Sequence, residues 1–172
     1  MSPPPTGPLL IRDARPGDCE TIVSFNSRLA EETEGKRLDI DILTRGVTVA
    51  LNEPNRLRYW VAEIGEGGPV VGQAAISLEW SDWRNGWLWW FQSVYVHADY
   101  RSQGVFRALY RHIREIALAS DDVIGLRLYV EVENQRAQST YAALGMRPGG
   151  YHVYEELWLE RSKASSEDSS RA

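Results

Sequence analysis

Cysteine is almost missing: the chain of 172 residues has Cys19 and no other. One thiol builds neither an internal disulfide framework nor a cysteine-rich zinc centre. Its isolation fits a cytoplasmic setting. Histidine is scarce as well. His97, His112 and His152 are scattered, with no pair at metal-ligand spacing on one element, so no metal is expected. Long apolar runs are lacking. The longest, Trp87 to Phe91, falls far short of the roughly 20 residues that span a bilayer, so no membrane association is expected. The N-terminus has prolines where a signal peptide has a charged start and an apolar run. There is no basic excess either. The formal net charge of -5 leaves no nucleic-acid footprint and favours a cationic guest wherever acid lines a pocket. The G-x-S-x-G elbow, the Gly-Lys-Ser/Thr ending of a phosphate loop and the three-glycine dinucleotide fingerprint are all absent.

What is present suits one globular domain: 43% hydrophobic and 25% charged residues are near the globular average. Residues 1–8 read as a Pro-rich arm, 9–161 as the single domain, and 162–172 as a Ser-rich, charged tail expected to be disordered. Leu9 to Asp13 reads as a strand. Asp18 then caps a helix with Ile22, Phe25 and Leu29 on one face. A polar segment, Glu31 to Arg37, precedes a second helix capped by Asp39. Tyr59 to Ile64 and Val70 to Trp80 form a hairpin through Gly65 to Pro69. The Asn85-Gly86 turn leads into a long strand, Trp87 to Val96. A helix from about Ser102 to Ala119, a strand from Leu126 to Val130, a helix from Asn134 to Leu144 and a last strand from Tyr151 to Leu159 complete the order β-α-α-β-β-β-α-β-α-β. This is an α/β class fold: one central mixed sheet with helices on both faces.

Two segments carry chemistry. In the first, Gln92 to Arg107, a strand runs through a short polar loop into an amphipathic helix. A helix start offers free backbone N–H groups and a positive dipole end, and so suits a phosphate. Gly104 lets an anion approach without a Cβ in the way. Arg101, Arg107 and Arg111 can add charge. The plainer alternative is an ordinary connection. In the second, Asn134 can cap a helix with Ala137, Tyr141 and Leu144 on one face, where a tyrosine ordinarily belongs to the core.

Taken together, the two segments resemble the GNAT superfamily of acyl-CoA N-acyltransferases. Arg101-Ser102-Gln103-Gly104 matches the first four positions of its R/Q-x-x-G-x-G/A loop, with Phe106 where the family has Gly or Ala. Asn134, Ala137, Tyr141 and Gly145 match its N-x-x-A-x-x-x-Y-x-x-x-G-F pattern, with Met146 for the final Phe. The resemblance implies a GNAT-like fold whose fourth and fifth strands splay apart. It implies acetyl-CoA as co-substrate, gripped by the backbone of Val94, Tyr95 and Val96 along its pantetheine arm. The loop and first helical turn, Arg101, Ser102, Gln103, Gly104, Val105, Phe106 and Arg107, would take the pyrophosphate, and Asn134 would touch the arm from the other side. Phe106 is in phase with Leu109, Tyr110 and Ile113, so its ring is expected to turn toward the core.

The implied reaction is direct attack by a primary amine of a small molecule or peptide on the thioester in a ternary complex. Tyr141 would protonate the departing thiolate. Some family members carry a Glu base on the fourth strand; this chain has Trp90 there. Glu79, Glu32 or a water chain are the substitutes. The acceptor site is expected among Glu31 to Arg37, the Ser81 to Gly86 loop and the strand face bearing Trp90 and Gln92. A GNAT-like module that binds acyl-CoA or a partner without transfer is the competing reading; an aromatic-sheet RNA binder fits the acidic balance poorly. Exposed Trp residues or the last strand would support a homodimer.

Overall fold

The computed structural model describes residues 7–158. The first six residues of the arm and the whole of the expected tail lie outside them. The described chain forms two compact units, one running to Tyr129 and the other starting at Val130.

The first unit is a five-stranded sheet in the order β1-β2-β3-β4-β5: β1 (Leu9–Asp13), β2 (Arg58–Ile64), β3 (Val70–Ser81), β4 (Gly86–Val96) and β5 (Val123–Leu128). The first four pair antiparallel, and β5 joins β4 in parallel. A parallel neighbour needs a crossover, here helix α3 (Val105–Leu118). Its stripe of Val105, Leu109, Tyr110, Ile113 and Ala117 is buried. Fully burying Leu109 or Ile113 contributes about 1.5–3 kcal/mol each. Tyr110 stacks on Phe91 of β4, ring centroids 5.7 Å apart.

Helices α1 (Cys19–Glu34) and α2 (Ile40–Asn52) precede β2. Ile22, Val23, Val47 and Ala50 close over Tyr59 and Val61 of β2 and Ala75 of β3. The Asp39 carboxylate accepts from the N–H groups of Asp41 and Ile42 and caps α2 as expected. Asp18 also sits at a helix start, but its carboxylate makes no cap bond there. It takes a bidentate pair from Arg12, at 2.8 and 2.9 Å, and the N–H of Arg15. Arg12 reaches Glu63 as well. The Arg12 demand outweighs a cap because Asp18 is buried beside a charge that needs a partner.

Four boundaries differ from those read in the sequence. The polar residues Glu31 to Glu34 continue α1 to its end at Gly35, in the left-handed conformation (φ 63°). Helix α3 begins at Val105, after a tight loop. Strand β5 lies earlier, at Val123–Leu128. The last expected strand does not form: 151–158 is without regular structure and exposed, with Tyr154 93% accessible, and Leu159 lies outside the described residues. Its alternation suits a strand, but a strand exists only through a ladder partner, and among the described residues the sheet ends at β5.

In the second unit, α4 (Gln135–Ala143) is capped by Asn134, whose side-chain oxygen accepts from the N–H of Ala137 at 3.0 Å. Gly145, at φ 87°, comes just after its end.

Candidate active site

Strand β4 outlasts its neighbour. The parallel ladder ends at Phe91↔Leu128, and no β5 residue pairs with Gln92 to Val96. Beyond Phe91 the outer edge of β4 therefore has no strand partner among the described residues, which leaves backbone groups that call for one. The stretch is also offset. Gln73↔Tyr95 and Ala75↔Gln92 are paired, so Ala74 of β3 faces two residues of β4, Ser93 and Val94. Ser93 takes φ 47°, unusual for a residue other than glycine. This bulge moves Tyr95 onto the face of the sheet that α1 covers, where its ring lies 5.0 Å from Phe25.

After Val96 comes a short 3₁₀ turn, Ala98–Tyr100, then Arg101 to Gly104. Ser102 (φ 63°) and Gly104 (φ 83°) both adopt left-handed conformations, and this reversal delivers the chain to the start of α3. A Cβ on Gly104 would meet no atom within 4 Å, so the space in front of the helix start is open. The N–H groups of the first turn have no carbonyl of their own helix to bond. Val105 is buried because Gly72 of β3 makes room: a Cβ there would sit 2.9 Å from Val105 Cγ1. Phe106 leans beside Tyr110, centroids 6.2 Å apart, and Arg107 is exposed. Gln103 ties its side chain back to the Asp99 carbonyl at 2.8 Å.

Arg101 does not simply face this space. Its Nη2 bonds Glu32 Oε2 at 2.5 Å, its Nε donates to the Val96 carbonyl, and its guanidinium lies 5.4 Å from the Tyr95 ring centre. The Tyr95 hydroxyl donates to the other Glu32 oxygen at 2.8 Å. Burial pushes the Glu32 carboxyl up, but the bonds from Tyr95 and Arg101 outweigh it and hold the group below the usual carboxylate range. A base works best with a pKa near the working pH, so this environment moves Glu32 the wrong way. Burial and the Glu32 charge both push the Tyr95 phenol up.

Further along the same face of the sheet, the expected acceptor residues do meet. Trp90 Nε1 donates to Glu79 Oε2 at 2.6 Å, and Gln92 donates to Ser77 Oγ at 3.2 Å. Two residues with no sequence signal join them. Arg127 of β5 pairs with Glu79 at 3.1 Å, and the Tyr129 ring lies 4.5 Å from that of Trp90. Glu32 is not part of this group. In the second unit, Tyr141 lies within α4 and is half-buried, and burial pushes its phenol above its ordinary value. A cleft of about 460 Å³, lined by Leu51, Arg58, Trp60 and Trp89 among others, contains none of the expected site residues. Among the described residues, no three His, Cys, Asp or Glu side chains cluster as metal ligands, and no helix is long and apolar enough to cross a membrane.

A β4 edge unpaired by β5 beyond Phe91, running into an open glycine turn at a helix start, agrees with what the GNAT resemblance implies. The acetyltransferase (GNAT) family model matches residues 20–146, and the chain belongs to that family of acetyl-CoA-dependent N-acetyltransferases. It is 32% identical to the thialysine N-epsilon-acetyltransferase of Bos taurus over 157 residues, covering 85% of this chain and 91% of that one. The Sus scrofa thialysine N-epsilon-acetyltransferase is 31% identical, with 81% and 84% covered. A crystal structure of a possible acetyltransferase from Clostridium difficile 630 superposes with a TM-score of 0.80 at 44% identity, covering 87% of this chain and 97% of that chain.

Proposed function

We propose that the protein transfers the acetyl group of acetyl-CoA to a primary amine of a small molecule or peptide, by direct attack in a ternary complex. The observation that carries this reading is the β4 edge, unpaired by β5 beyond Phe91 and continuous with the open turn at Gly104. These residues fit the cofactor: the edge offers an extended arm a strand to pair with, and the helix start offers N–H groups to an anion. Val94, Tyr95 and Val96 would hold the pantetheine arm. Gln103, Gly104, Val105, Phe106 and Arg107 would hold the pyrophosphate through their N–H groups, with Ser102 shaping the turn and Arg101 anchoring it to Glu32. Asn134 would contact the arm. Acetyl-CoA supplies an acyl group activated as a thioester.

The neutral amine attacks the thioester carbonyl, the new C–N bond forms, the C–S bond breaks, and the nitrogen gives up its surplus proton to solvent. A β4 backbone N–H steadies the charge that gathers on the carbonyl oxygen. By the resemblance, Tyr141 would give its proton to the departing sulfur and recover it from solvent; its phenol, held up by burial, is protonated at pH 7. Trp90, Gln92 and Glu79 floor the acceptor side. The aromatic character of that floor supports a cationic amine, as does the likeness to the bovine thialysine N-epsilon-acetyltransferase. With a pKa near 10.4, only about 0.04% of such an amine is neutral at pH 7.

The test is calorimetry with acetyl-CoA, followed by turnover on a panel of diamines, amino acids and peptides. Saturable binding with turnover on any primary amine is expected. Binding without turnover across the panel would replace the transferase reading of this site with that of a binding module.

A further inference from the structure

Helix α1, β2 and β3 contribute a line of buried amides and hydroxyls that acetyl transfer, as derived so far, does not use. Gln73 of β3 is fully buried. Its side-chain nitrogen donates to Asn26 Oδ1 at 2.6 Å and to the Ser93 carbonyl at 3.1 Å. Asn26, also buried, donates in turn to the Tyr59 hydroxyl at 3.2 Å. The line ends at the one β4 residue with a left-handed backbone. A bulge leaves the extra residue outside the ladder and so strips it of regular partners. The Gln73 amide replaces that partner for Ser93.

The bulge sets the facing of every later residue of β4. Side chains alternate along a strand, so from Gln92 onward a regular β4 would turn Tyr95 away from α1. With Ser93 and Val94 together opposite Ala74, Tyr95 instead faces Phe25 and Glu32, and Val96 pairs with Gly72. The aim of the Val94 to Val96 backbone is thus set at Ser93. Gln73 is also a poor choice for stability alone. Its side-chain oxygen is buried with no hydrogen-bond partner among the described residues, a position where an apolar residue of the same shape avoids the desolvation penalty.

We propose that Gln73 is a positioning residue for acetyl transfer: its amide pins the Ser93 carbonyl and thereby fixes the β4 bulge that aims the Val94 to Val96 backbone at the thioester. The proposal rests on the transferase reading of the site, and wild-type binding and turnover test that reading separately. Gln73→Met keeps the length and removes the donor. It is expected to lower kcat about 10- to 100-fold, because a misplacement of about 1 Å can cost 10²-fold, to weaken acetyl-CoA binding several-fold, and to leave the acceptor KM within about threefold. Val47→Ala, a core truncation under α2, is the control for stability: its melting point falls while kcat stays at the wild-type value. Ser93→Val disturbs the bulge without opening the buried line, since a β-branched residue opposes positive φ. It is expected to reproduce the kcat loss even where Gln73→Met does not fold. Wild-type kcat and wild-type acetyl-CoA affinity in either Gln73→Met or Ser93→Val overturns the inference while leaving the transferase reading intact. A wild type that neither binds acetyl-CoA nor turns over removes both.

Discussion

Glu32 and Arg101 meet at 2.5 Å, and this contact ties the last turn of α1 to the loop that precedes α3. Both groups are partly exposed, so the pair is worth about 0–1 kcal/mol in stability. Its interest lies in what it denies each partner: Glu32 is engaged on both oxygens, and Arg101 is drawn toward α1.

Glu32→Gln is therefore expected to keep kcat within about threefold, with a modest change in acetyl-CoA affinity as Arg101 is released. Steady-state kinetics decide the matter. A loss of kcat beyond about 100-fold with unchanged KM would instead make Glu32 the base. Because the folded-state pKa is lowered, whatever stability the pair supplies is present at neutral pH. It is lost as pH falls through that lowered value.

Without a strand base at Trp90, kcat/KM should track the neutral fraction of the amine. It is expected to rise about tenfold per pH unit between pH 7 and 9. A plateau near pH 7, seen in initial rates at low acceptor concentration, would reveal a protein base tuned to that range.

Tyr141→Phe removes the proposed acid but little volume. We expect kcat to fall about 10²- to 10⁴-fold, with the acetyl-CoA Kd changed no more than about twofold by calorimetry. Burial raises the Tyr141 pKa, so the wild-type alkaline limb that reports loss of this proton lies above pH 10.

Arg12→Ala strands Asp18 and Glu63, whose side chains are 10% and 5% exposed. Breaking a buried pair in this way costs about 3–5 kcal/mol. Urea unfolding at pH 7 should show that loss. The gap from wild type should narrow as pH falls. The wild-type Asp18 pKa is lowered, so its contribution disappears on acidification, and in the variant the stranded Asp18 takes up a proton more readily.

Gly104→Ala separates fold from cofactor. The added Cβ meets no protein atom, so only the positive φ is penalised, at about 1–2 kcal/mol. Acetyl-CoA affinity is expected to drop at least tenfold, because the added Cβ stands where an anion would approach the start of α3. Equal affinity by calorimetry would show that this turn does not hold the pyrophosphate.

The sequence is readable wherever local chemistry and tertiary context agree. The caps at Asp39 and Asn134 and the hairpin through Gly65 to Pro69 all stand as expected, since each depends on neighbours in the chain. Glu31 to Glu34 reads as a loop because the end of α1 is exposed and has no apolar stripe to reveal it. Asp18 reads as a cap because the demand from Arg12 and Glu63 arises only after β1 and β2 pair. The bulge at Ser93 is invisible for a related reason: its cause, Gln73, lies on another strand. Arg127 and Tyr129 reach Trp90 only across the β4–β5 step, so no spacing in the chain announces them.

The side chain missing at position 72 sets the register of a helix more than thirty residues downstream. Val105 keys into that notch, so β3 rather than the intervening loop fixes where α3 begins. The residues between His97 and Arg101 are consequently free to vary in composition while the helix start keeps its seat. Substitutions there leave the docking of the scaffold beneath them undisturbed.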